Sequence, residues 1–335
     1  MIARDEEAVI GRALASVADL VDEFVVLDTG SVDATVEVAR SAGARVVQFA
    51  WCDDFAAAKN AALALARCPW RLVLDADEWV ASGTLTADDL GSADGAVGAV
   101  LMEERLVPSD GGFEQVSTSW IPRLLPEKTR YAGRIHEQVV SGGRAWHTRL
   151  VLGHDGYSPA RNRAKAGRNE ALLWASLAEN PTDAYYIWQL AKDLEVQERF
   201  EESAQWYCAA RDATTDRDPW GHELQTRGLY VLGRAGRFQD AMAWFAEAER
   251  VWPRSPDLYF VMADLMLDRA TADPGHATSY VAMMRRLWQR CLDIGERPEL
   301  AGSVQGRGSH LARQNLELLD GLERELPVAS RGPSS

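Results

Sequence analysis

The chain has 335 residues and carries 50 Asp and Glu against 36 Lys and Arg, a formal net charge of −14. Its length predicts about two domains, and its hydrophobic fraction of 47% excludes an intrinsically disordered chain. The acidic balance argues against a nucleic-acid-binding protein and against electrostatic docking to anionic lipid, while four widely spaced cysteines fit neither a disulfide framework nor a zinc site.

Short apolar runs alternate with helical segments over the first 78 residues. Apolar residues at helical spacing predict the helices, and short β-branched runs that end in turn residues predict the strands. This βαβαβ order predicts a parallel sheet in a doubly wound α/β domain, whose ligands bind beyond the carboxyl ends of the strands. The predicted strands are 24–27, 45–49 and 70–74, and the predicted helices are 6–20, 31–43 and 55–66.

Residues 96–157 are predicted to form mixed strands and loops, and the pattern from 162 onward is helical. Residues 199–207 and 237–245 match each other at an offset of 38, which indicates an internal repeat of helix pairs similar to tetratricopeptide repeats. A looser third pair and a final capping helix at 309–325 follow. No run of about 18 apolar residues and no signal-peptide pattern occurs, so we expect a cytoplasmic protein without a transmembrane segment.

Asp75 and Asp77 directly follow the third predicted strand. Two carboxylates one residue apart at the end of a buried strand supply oxygen ligands that suit Mg²⁺ or Mn²⁺. Such a cation would bridge a diphosphate and offset its charge as a leaving group. The alternative interpretation is a helix N-cap with acidic residues in the first turn.

Four motifs taken together resemble family 2 glycosyltransferases of the GT-A fold. The resemblance includes members with a tetratricopeptide tail, among them the peptide S-glycosyltransferases of glycocin biosynthesis. It implies a GT-A domain over 1–160, a tetratricopeptide-like all-α domain over 161–326 and a disordered tail over 327–335. The motifs are residues 1–7, 26–33, 51–60 and 74–78.

The resemblance implies roles for nine residues in these motifs. Asp28 would read the uracil or ribose of a nucleotide-sugar, and Asp77 is favoured over Asp75 as the direct metal ligand. Asp5 has the alternative role of a helix cap. The first loop beside the nucleotide contains Arg4, Asp5 and Glu6, and the residues facing the sugar and phosphates are Asp54, Lys59, Asn60, Asp75 and Asp77.

Weaker matches extend to about residue 170. Glu137 lies where such enzymes keep the base that takes the acceptor's proton, and His136 is a competing base or orients Glu137. A loop pair at the surface is the alternative for both residues. His154 would be a third metal ligand, favouring Mn²⁺ over Mg²⁺. Arg168 would contact the diphosphate or join the domains, and Trp120 would form a sugar or acceptor platform or pack in the core.

The predicted function is a metal-dependent, inverting glycosyltransferase that uses a nucleotide-diphosphate sugar, with a UDP-hexose favoured. The acceptor would be a Cys, Ser or Thr side chain of a peptide or protein held by the helical repeats. A saccharide or secondary metabolite is an alternative acceptor. A scaffold protein with a degenerate transferase domain is the alternative from another functional class. Pairing of two protomers through the helical domain is also predicted.

Two features of residues 1–78 bear on the predicted glycosyltransferase function. Residues 1–78 contain 14 Asp and Glu against 7 Lys and Arg, so the pocket should need a divalent cation before a diphosphate binds well. The family also has an apolar strand ahead of the residues that match Arg4, whereas residues 1–3 alone precede it in this sequence. Either the true start lies upstream or the first strand is short.

Overall fold

The computed structural model describes residues 1–93, 95–106, 115–141, 145–154, 159–215 and 218–325. The chain divides into two compact units, Met1–Asp193 and Leu194–Ser335. The predicted domain limits at 160 and 326 stay predictions, and the predicted tail at 327–335 lies outside the described residues.

The first unit is an α/β unit that continues into helices. Its strands are β1 (Ile2–Ala3), β2 (Val25–Asp28), β3 (Arg45–Gln48), β4 (Trp70–Leu72), β5 (Glu78–Ser82), β6 (Val97–Leu106), β7 (Gln115–Pro126), β8 (Arg130–Ala132), β9 (Gln138–Val140) and β10 (Ala145–His154). Its helices are α1 (Ile10–Ser16), α2 (Thr35–Ser41), α3 (Phe55–Leu65), α4 (Ala87–Ser92), α5 (Pro159–Glu179) and α6 (Ala184–Val196), and the division between the units falls within α6.

The first three strands form a parallel sheet in the order β1-β2-β3, as the alternating pattern predicts. Ala3 lies opposite Asp28, and Asp28 lies opposite Gln48, so the strands end together at one edge. Strand β2 is buried because its residues meet helices on the sheet faces: Val26 is fully buried in a cluster with Ile10 and Leu14 of α1. This edge is therefore where polar side chains can gather.

The fourth strand differs from the expectation of a single parallel sheet. Strand β4 pairs antiparallel with β7, with Leu72 opposite Leu124. Within the first unit, β7 continues through β6 and β10 to β5, and β6 and β10 are parallel to each other. Because β1 has two residues, it offers β4 almost no backbone to pair with. The α/β unit therefore contains a parallel sheet and a mixed sheet.

The first helix is shorter than the 6–20 that periodicity predicts, since α1 begins at Ile10. The residues ahead of it are bonded to the start of α2 and the residues before it: Glu6 N donates to Thr35 Oγ1 at 2.7 Å, and Glu7 N donates to Asp33 Oδ2 at 3.1 Å. A helical apolar pattern does not reveal that its first turn has other hydrogen-bond partners.

The second unit is helical. Its elements are α7 (Phe200–Ala213), α8 (Gly221–Arg234), α9 (Phe238–Val251), α10 (Pro256–Ala272), a 3₁₀ turn (Pro274–His276), α11 (Ala277–Ile294), a two-residue strand β11 (Ser303–Val304) and α12 (His310–Glu325). Among the described residues, no helix combines the length and apolar character needed to cross a bilayer.

The predicted internal repeat appears as two equivalent helix starts. Helices α7 and α9 begin at Phe200 and Phe238, 38 residues apart, and the residue before each start has nearly the same backbone angles. The repeated aromatic pair is buried differently in the two helices. In α7, Tyr207 is buried and Trp206 is half-buried. In α9, Trp244, which is equivalent to Trp206, is buried. The sequence repeat therefore specifies the helix starts, and local contacts select which ring enters the core.

Candidate functional site

The loops that follow β1 and β2 are joined by reciprocal hydrogen bonds. Asp5 N donates to Ser31 Oγ at 3.0 Å, and Val32 N donates to Asp5 Oδ1 at 2.8 Å. Asp5 adopts a left-handed conformation with φ of 54°, which Asp tolerates better than most residues. The side chain of Asp5 therefore holds the two loops together, and the structure gives it neither the cap of α1 nor a place in the cavity described below.

Asp28 ends β2 and is 1% exposed. Its carboxylate accepts hydrogen bonds from Gly30 N at 3.2 Å and from Ser31 N at 3.2 Å. Gly30 has a φ of 108°, so the turn that brings these two N–H groups onto the carboxylate requires glycine. The structure thus places Asp28 beneath the loop, where it shapes the turn at the edge of the parallel sheet.

A cavity of about 510 Å³ lies beside the carboxyl ends of β1 and β4. It gathers nine of the residues that the sequence singles out, drawn from segments as far apart as the first loop and α5. Convergence of charged side chains from distant segments on one concave site is typical of a ligand-binding site. These nine residues are Arg4, Glu6, Lys59, Asp75, Asp77, His136, Glu137, His154 and Arg168.

Among the described residues, the lining does not include Asp5, Asp28 or three other predicted site residues. Asp54 caps α3, accepting from Ala57 N at 2.8 Å. Asn60 uses both atoms of its amide on the backbone of Tyr131, at 2.9 and 2.8 Å. Trp120 stacks on His147 with ring centroids 3.9 Å apart. Their predicted ligand contacts stay predictions.

Five alternating charges run from the buried Glu78 through Arg123, Asp75 and Lys59 to Glu137; we call them the charge chain. All of them except Glu78 line the cavity. Arg123 Nη2 is 2.8 Å from Asp75 Oδ2 and also pairs with Glu78 Oε1. Lys59 Nζ is 3.0 Å from Asp75 Oδ1 and 2.6 Å from Glu137 Oε1. Every charge in this row therefore has an opposite charge next to it.

The charge chain fixes the ionisation of its members. Burial would raise the pKa of Asp75, but the charges of Arg123 and Lys59 hold that pKa well below its ordinary value. Burial would likewise lower the pKa of Lys59, yet Asp75 and Glu137 together keep it above its ordinary value. Burial raises the pKa of Glu78, which Arg123 offsets only in part. Lys59 and Asp75 therefore stay charged at neutral pH.

Asp77 and His154 meet on another part of the lining. His154 Nε2 lies 3.5 Å from Asp77 Oδ2. Antiparallel pairing of β5 with β10 sets this distance, because His154 lies opposite Glu78, the residue after Asp77. Gly153 makes the pairing possible, since a Cβ there would lie 2.4 Å from the Trp79 ring.

The two side chains offer one oxygen and one nitrogen donor, a combination that suits Mn²⁺. Within the described part of the chain, no group of three or more His, Cys, Asp and Glu residues is arranged to hold a metal ion. Asp75 does not complete such a group with them, because its oxygens pair with Lys59 and Arg123. A cation between Asp77 and His154 would therefore take its other ligands from a bound substrate or water.

His136 and Glu137 lie in the loop between β8 and β9. His136 has a φ of 50°, and its carbonyl oxygen accepts from the Tyr185 hydroxyl at 3.0 Å. Burial lowers the pKa of His136 to about 4, with a smaller contribution from the charge of Lys192. A neutral imidazole with so low a pKa is a weak base at neutral pH, so Glu137 is the better proton acceptor of the two.

Three more residues line the cavity without a role predicted from the sequence: Arg123, Tyr131 and Tyr185. Arg123 had a local signal, since it is a charged residue in an otherwise apolar strand segment, where a cation needs buried partners. Tyr131 is buried against the charge chain, with the Lys59 ammonium 5.4 Å from its ring centroid. Tyr185 comes from α6, and nothing in its local sequence connects it to the loop at His136.

Comparison with known proteins identifies the N-terminal segment. Residues 1–87 match the family model described as glycosyl transferase family 2. A tetratricopeptide repeat-containing protein of Synechococcus elongatus is 38% identical over 223 residues, which cover 61% of this chain and 53% of that protein. An uncharacterised glycosyltransferase of Rickettsia typhi is 38% identical over 78 residues, 23% of this chain and 26% of that protein.

A longer and more distant similarity spans both units. The SPbeta prophage-derived glycosyltransferase SunS of Bacillus subtilis is 22% identical over 286 residues, which cover 80% of this chain and 66% of SunS. The chain spans about half the length of the cyanobacterial relative and a quarter of the rickettsial one. These similarities confirm a family 2 glycosyltransferase domain at the N-terminus, and the structure confirms the predicted order of an α/β unit followed by helices.

Proposed function

The N-terminal residues 1–87 are a family 2 glycosyltransferase domain, and we propose that the chain transfers a hexose from a nucleotide-diphosphate sugar to an acceptor with inversion at the anomeric carbon. One observation carries the proposal: nine residues that the sequence singles out separately line the same cavity. A degenerate domain kept only as a scaffold would have no reason to retain that convergence. A UDP-hexose is the favoured donor.

The donor's diphosphate would bind at Arg4 and Arg168, which reach the cavity from the first loop and from α5. Desolvation and the charge of Arg4 lower the pKa of Arg168, which shows that the two guanidinium groups repel each other. An anion between them would relieve this repulsion. Guanidinium groups also match phosphate oxygens in a bidentate geometry that lysine lacks.

The divalent cation would be held by Asp77 and His154. When bound, Mn²⁺ or Mg²⁺ would neutralise charge on the departing diphosphate. The imidazole donor favours Mn²⁺, and the acidity of the first 78 residues accounts for the need for a cation. The pair of side chains is compatible with this role because both line the cavity and lie 3.5 Å apart.

Glu137 would act as the base. The acceptor's sulfur or oxygen forms a bond to the anomeric carbon while the bond from that carbon to the diphosphate breaks. The acceptor's proton passes to Glu137, and the nucleoside diphosphate leaves with the electron pair. A single displacement of this kind inverts the anomeric centre. Glu137 is suited to it because its side chain is 11% exposed and lines the cavity, so an acceptor group reaches it without bulk water.

A Cys, Ser or Thr side chain of a peptide or protein is the favoured acceptor. The helical repeats of the second unit support this choice, since helical repeats provide extended surfaces for peptides. A saccharide acceptor is the alternative that the same cavity would serve. The predicted cytoplasmic location and homodimer stay predictions.

The proposal is tested by melting the protein with UDP-glucose, UDP-N-acetylglucosamine, UDP-galactose and GDP-mannose, each with and without Mn²⁺. A donor that binds the folded state raises Tm by mass action, and we expect the rise to depend on Mn²⁺. Donor turnover would then be followed by release of the nucleoside diphosphate.

Asp77→Asn is the informative variant, with Asp88→Asn on exposed α4 as its matched control. We expect Asp77→Asn to abolish the Mn²⁺-dependent rise and to lower turnover by at least about 100-fold, while Asp88→Asn behaves as the parent. Absence of any donor-dependent rise in the parent protein at millimolar donor and Mn²⁺ would refute a glycosyltransferase and favour a scaffold.

A further inference from the structure

Lys59 is an unusual residue for its position. It lies in the middle of α3 among small apolar residues, and it is 6% exposed. A buried ammonium is costly unless it is paired, and lysine is almost never buried without such partners. Its partners are two carboxylates of different segments, Asp75 after β4 and Glu137 in the loop before β9. Lys59 thus joins a rigid helix to the residue assigned as the base.

The loop that carries Glu137 would not hold that carboxylate in place by itself. His136, directly before it, has a left-handed backbone, and β8 and β9 are three-residue strands. Helix α3 supplies what the loop lacks: Phe55 N donates to Arg134 O at 2.7 Å, and Asn60 holds the backbone of Tyr131. The Lys59 ammonium adds a contact to the carboxylate itself, at 2.6 Å.

Lysine suits this task better than arginine. Its ammonium is a compact charge with three donors, so it can reach two carboxylates from different segments at once. The other side of Asp75 is occupied by Arg123, which in turn pairs with the buried Glu78. Lys59 is therefore held by Asp75, and Glu137 is the end of the charge chain that lines the cavity, with Lys59 as its cation.

We propose that Lys59 is a positioning residue that keeps the Glu137 carboxylate directed into the cavity, and that Asp75 serves the site by fixing Lys59 and not by binding the metal ion. The inference rests on the proposed function. It differs from the sequence-based expectation, which places Lys59 and Asp75 on the sugar, phosphates or metal. The two assignments separate experimentally, because a ligand contact acts on donor or metal affinity and a positioning contact acts on turnover.

The primary test is Lys59→Met, which keeps an unbranched side chain and removes the charge, with Lys128→Met at an exposed position as the matched control. We expect kcat to fall by about 100-fold while the donor Kd changes by less than about threefold. Lys128→Met should match the parent in both measurements.

Two further variants separate positioning from a general loss of structure. In a Glu137→Gln background, Lys59→Met should lower kcat no further, because the residue it positions is already inactive. Asp75→Asn should lower kcat and leave Mn²⁺ affinity, measured by electron paramagnetic resonance titration, within about threefold of the parent. Asp77→Asn should weaken Mn²⁺ binding in the same titration by at least about 10-fold.

Weakened donor binding with unchanged kcat in Lys59→Met, or lost Mn²⁺ affinity in Asp75→Asn, would overturn the inference. If Lys59→Met does not fold, Lys59→Arg is decisive. Its retained charge should limit the fall in kcat to several-fold, and a drop in donor affinity alone would contradict positioning. A parent protein that neither binds nor turns over any donor refutes the proposed function itself, whereas an active parent with normal kcat in Lys59→Met refutes only the positioning role.

Discussion

Both units bury charged and polar side chains, but they use them differently. In the first unit four members of the charge chain line a cavity, and its last member, Glu137, pairs with Lys59. In the second unit Asp257 is fully buried and accepts from Val304 N at 3.0 Å and from Arg307 at 3.2 Å. One set of charges faces space that a ligand can fill, and the other connects segments of the helical unit.

Two histidines, the buried His222 and the partly exposed His154, show the same contrast. His222 in the second unit bonds through both ring nitrogens, to Ala301 O at 2.6 Å and to Ser255 Oγ at 2.7 Å. His154 in the first unit is part of a cavity lining and faces a carboxylate across 3.5 Å. Burial and charge alone therefore do not identify a functional residue. A candidate functional residue must also line a cavity that a ligand can enter.

The largest expected effect on stability belongs to the apolar core of the second unit. Trp244 is 1% exposed, its indole N–H donates to Gln225 O at 3.0 Å, and its ring fills the space above Gly228. Trp244→Ala should lower the free energy of unfolding of that unit by about 3–5 kcal/mol. Hydrogen exchange of the α8 and α9 amides in the full chain measures the change.

Trp174→Ala is the matched control, because Trp174 is 44% exposed. We expect it to change the free energy of unfolding by less than about 1 kcal/mol. Equal losses in the two variants would show that Trp244 does not have the core role that its burial indicates.

The next largest effect compares one ion-paired aspartate from each unit, the fully buried Asp257 and the partly exposed Asp75. Asp257→Asn should lower the free energy of unfolding by about 3 kcal/mol, because it leaves the cation of Arg307 without its buried partner. Asp75→Asn should lower the free energy of unfolding by only about 1 kcal/mol, because Arg123 retains its ion pair with Glu78 and Lys59 retains its ion pair with Glu137. Exchange of the α10 and α3 amides reports the two costs separately. A larger cost at Asp75 than at Asp257 would break the contrast between the units.

The smallest effect is a pH dependence centred on His136. Its pKa is about 4 in the folded protein and 6.5 in a model peptide, so the unfolded chain binds a proton first as pH falls. The stability that the neutral imidazole provides is complete above pH 6.5 and is lost towards pH 4. Between pH 7.5 and 5 this loss is about 2 kcal/mol.

Urea unfolding of the parent and of His136→Asn at several pH values isolates this contribution. Asn does not titrate and tolerates the left-handed backbone of this position. Between pH 7.5 and 5 the free energy of unfolding of the variant should therefore fall by about 2 kcal/mol less than that of the parent. His276→Asn, at an exposed histidine, should follow the parent. Parallel pH curves for the parent and His136→Asn would show that His136 is not the group responsible.

Local sequence was a good guide to elements and a poor guide to strand partners. The apolar runs before Asp28 and Asp75 are strands, and the helix from Phe55 begins where its cap residue Asp54 indicates. Strand β4 nevertheless pairs antiparallel with β7, because pairing depends on which backbone edges are long enough to meet. Periodicity carries no such information.

The sequence by itself determined the family that residues 1–87 resemble, the order of strands and helices, the 38-residue repeat and nine of the residues that line the cavity. These properties follow from side-chain type and spacing along the chain. Only the tertiary structure decided what each side chain does. It turned Asp28 and Asn60 towards the backbone, engaged Asp75 with two cations and brought Lys59 to Glu137. Those contacts join residues distant in the sequence, and their energies depend on burial and distance, which arise only when the chain folds.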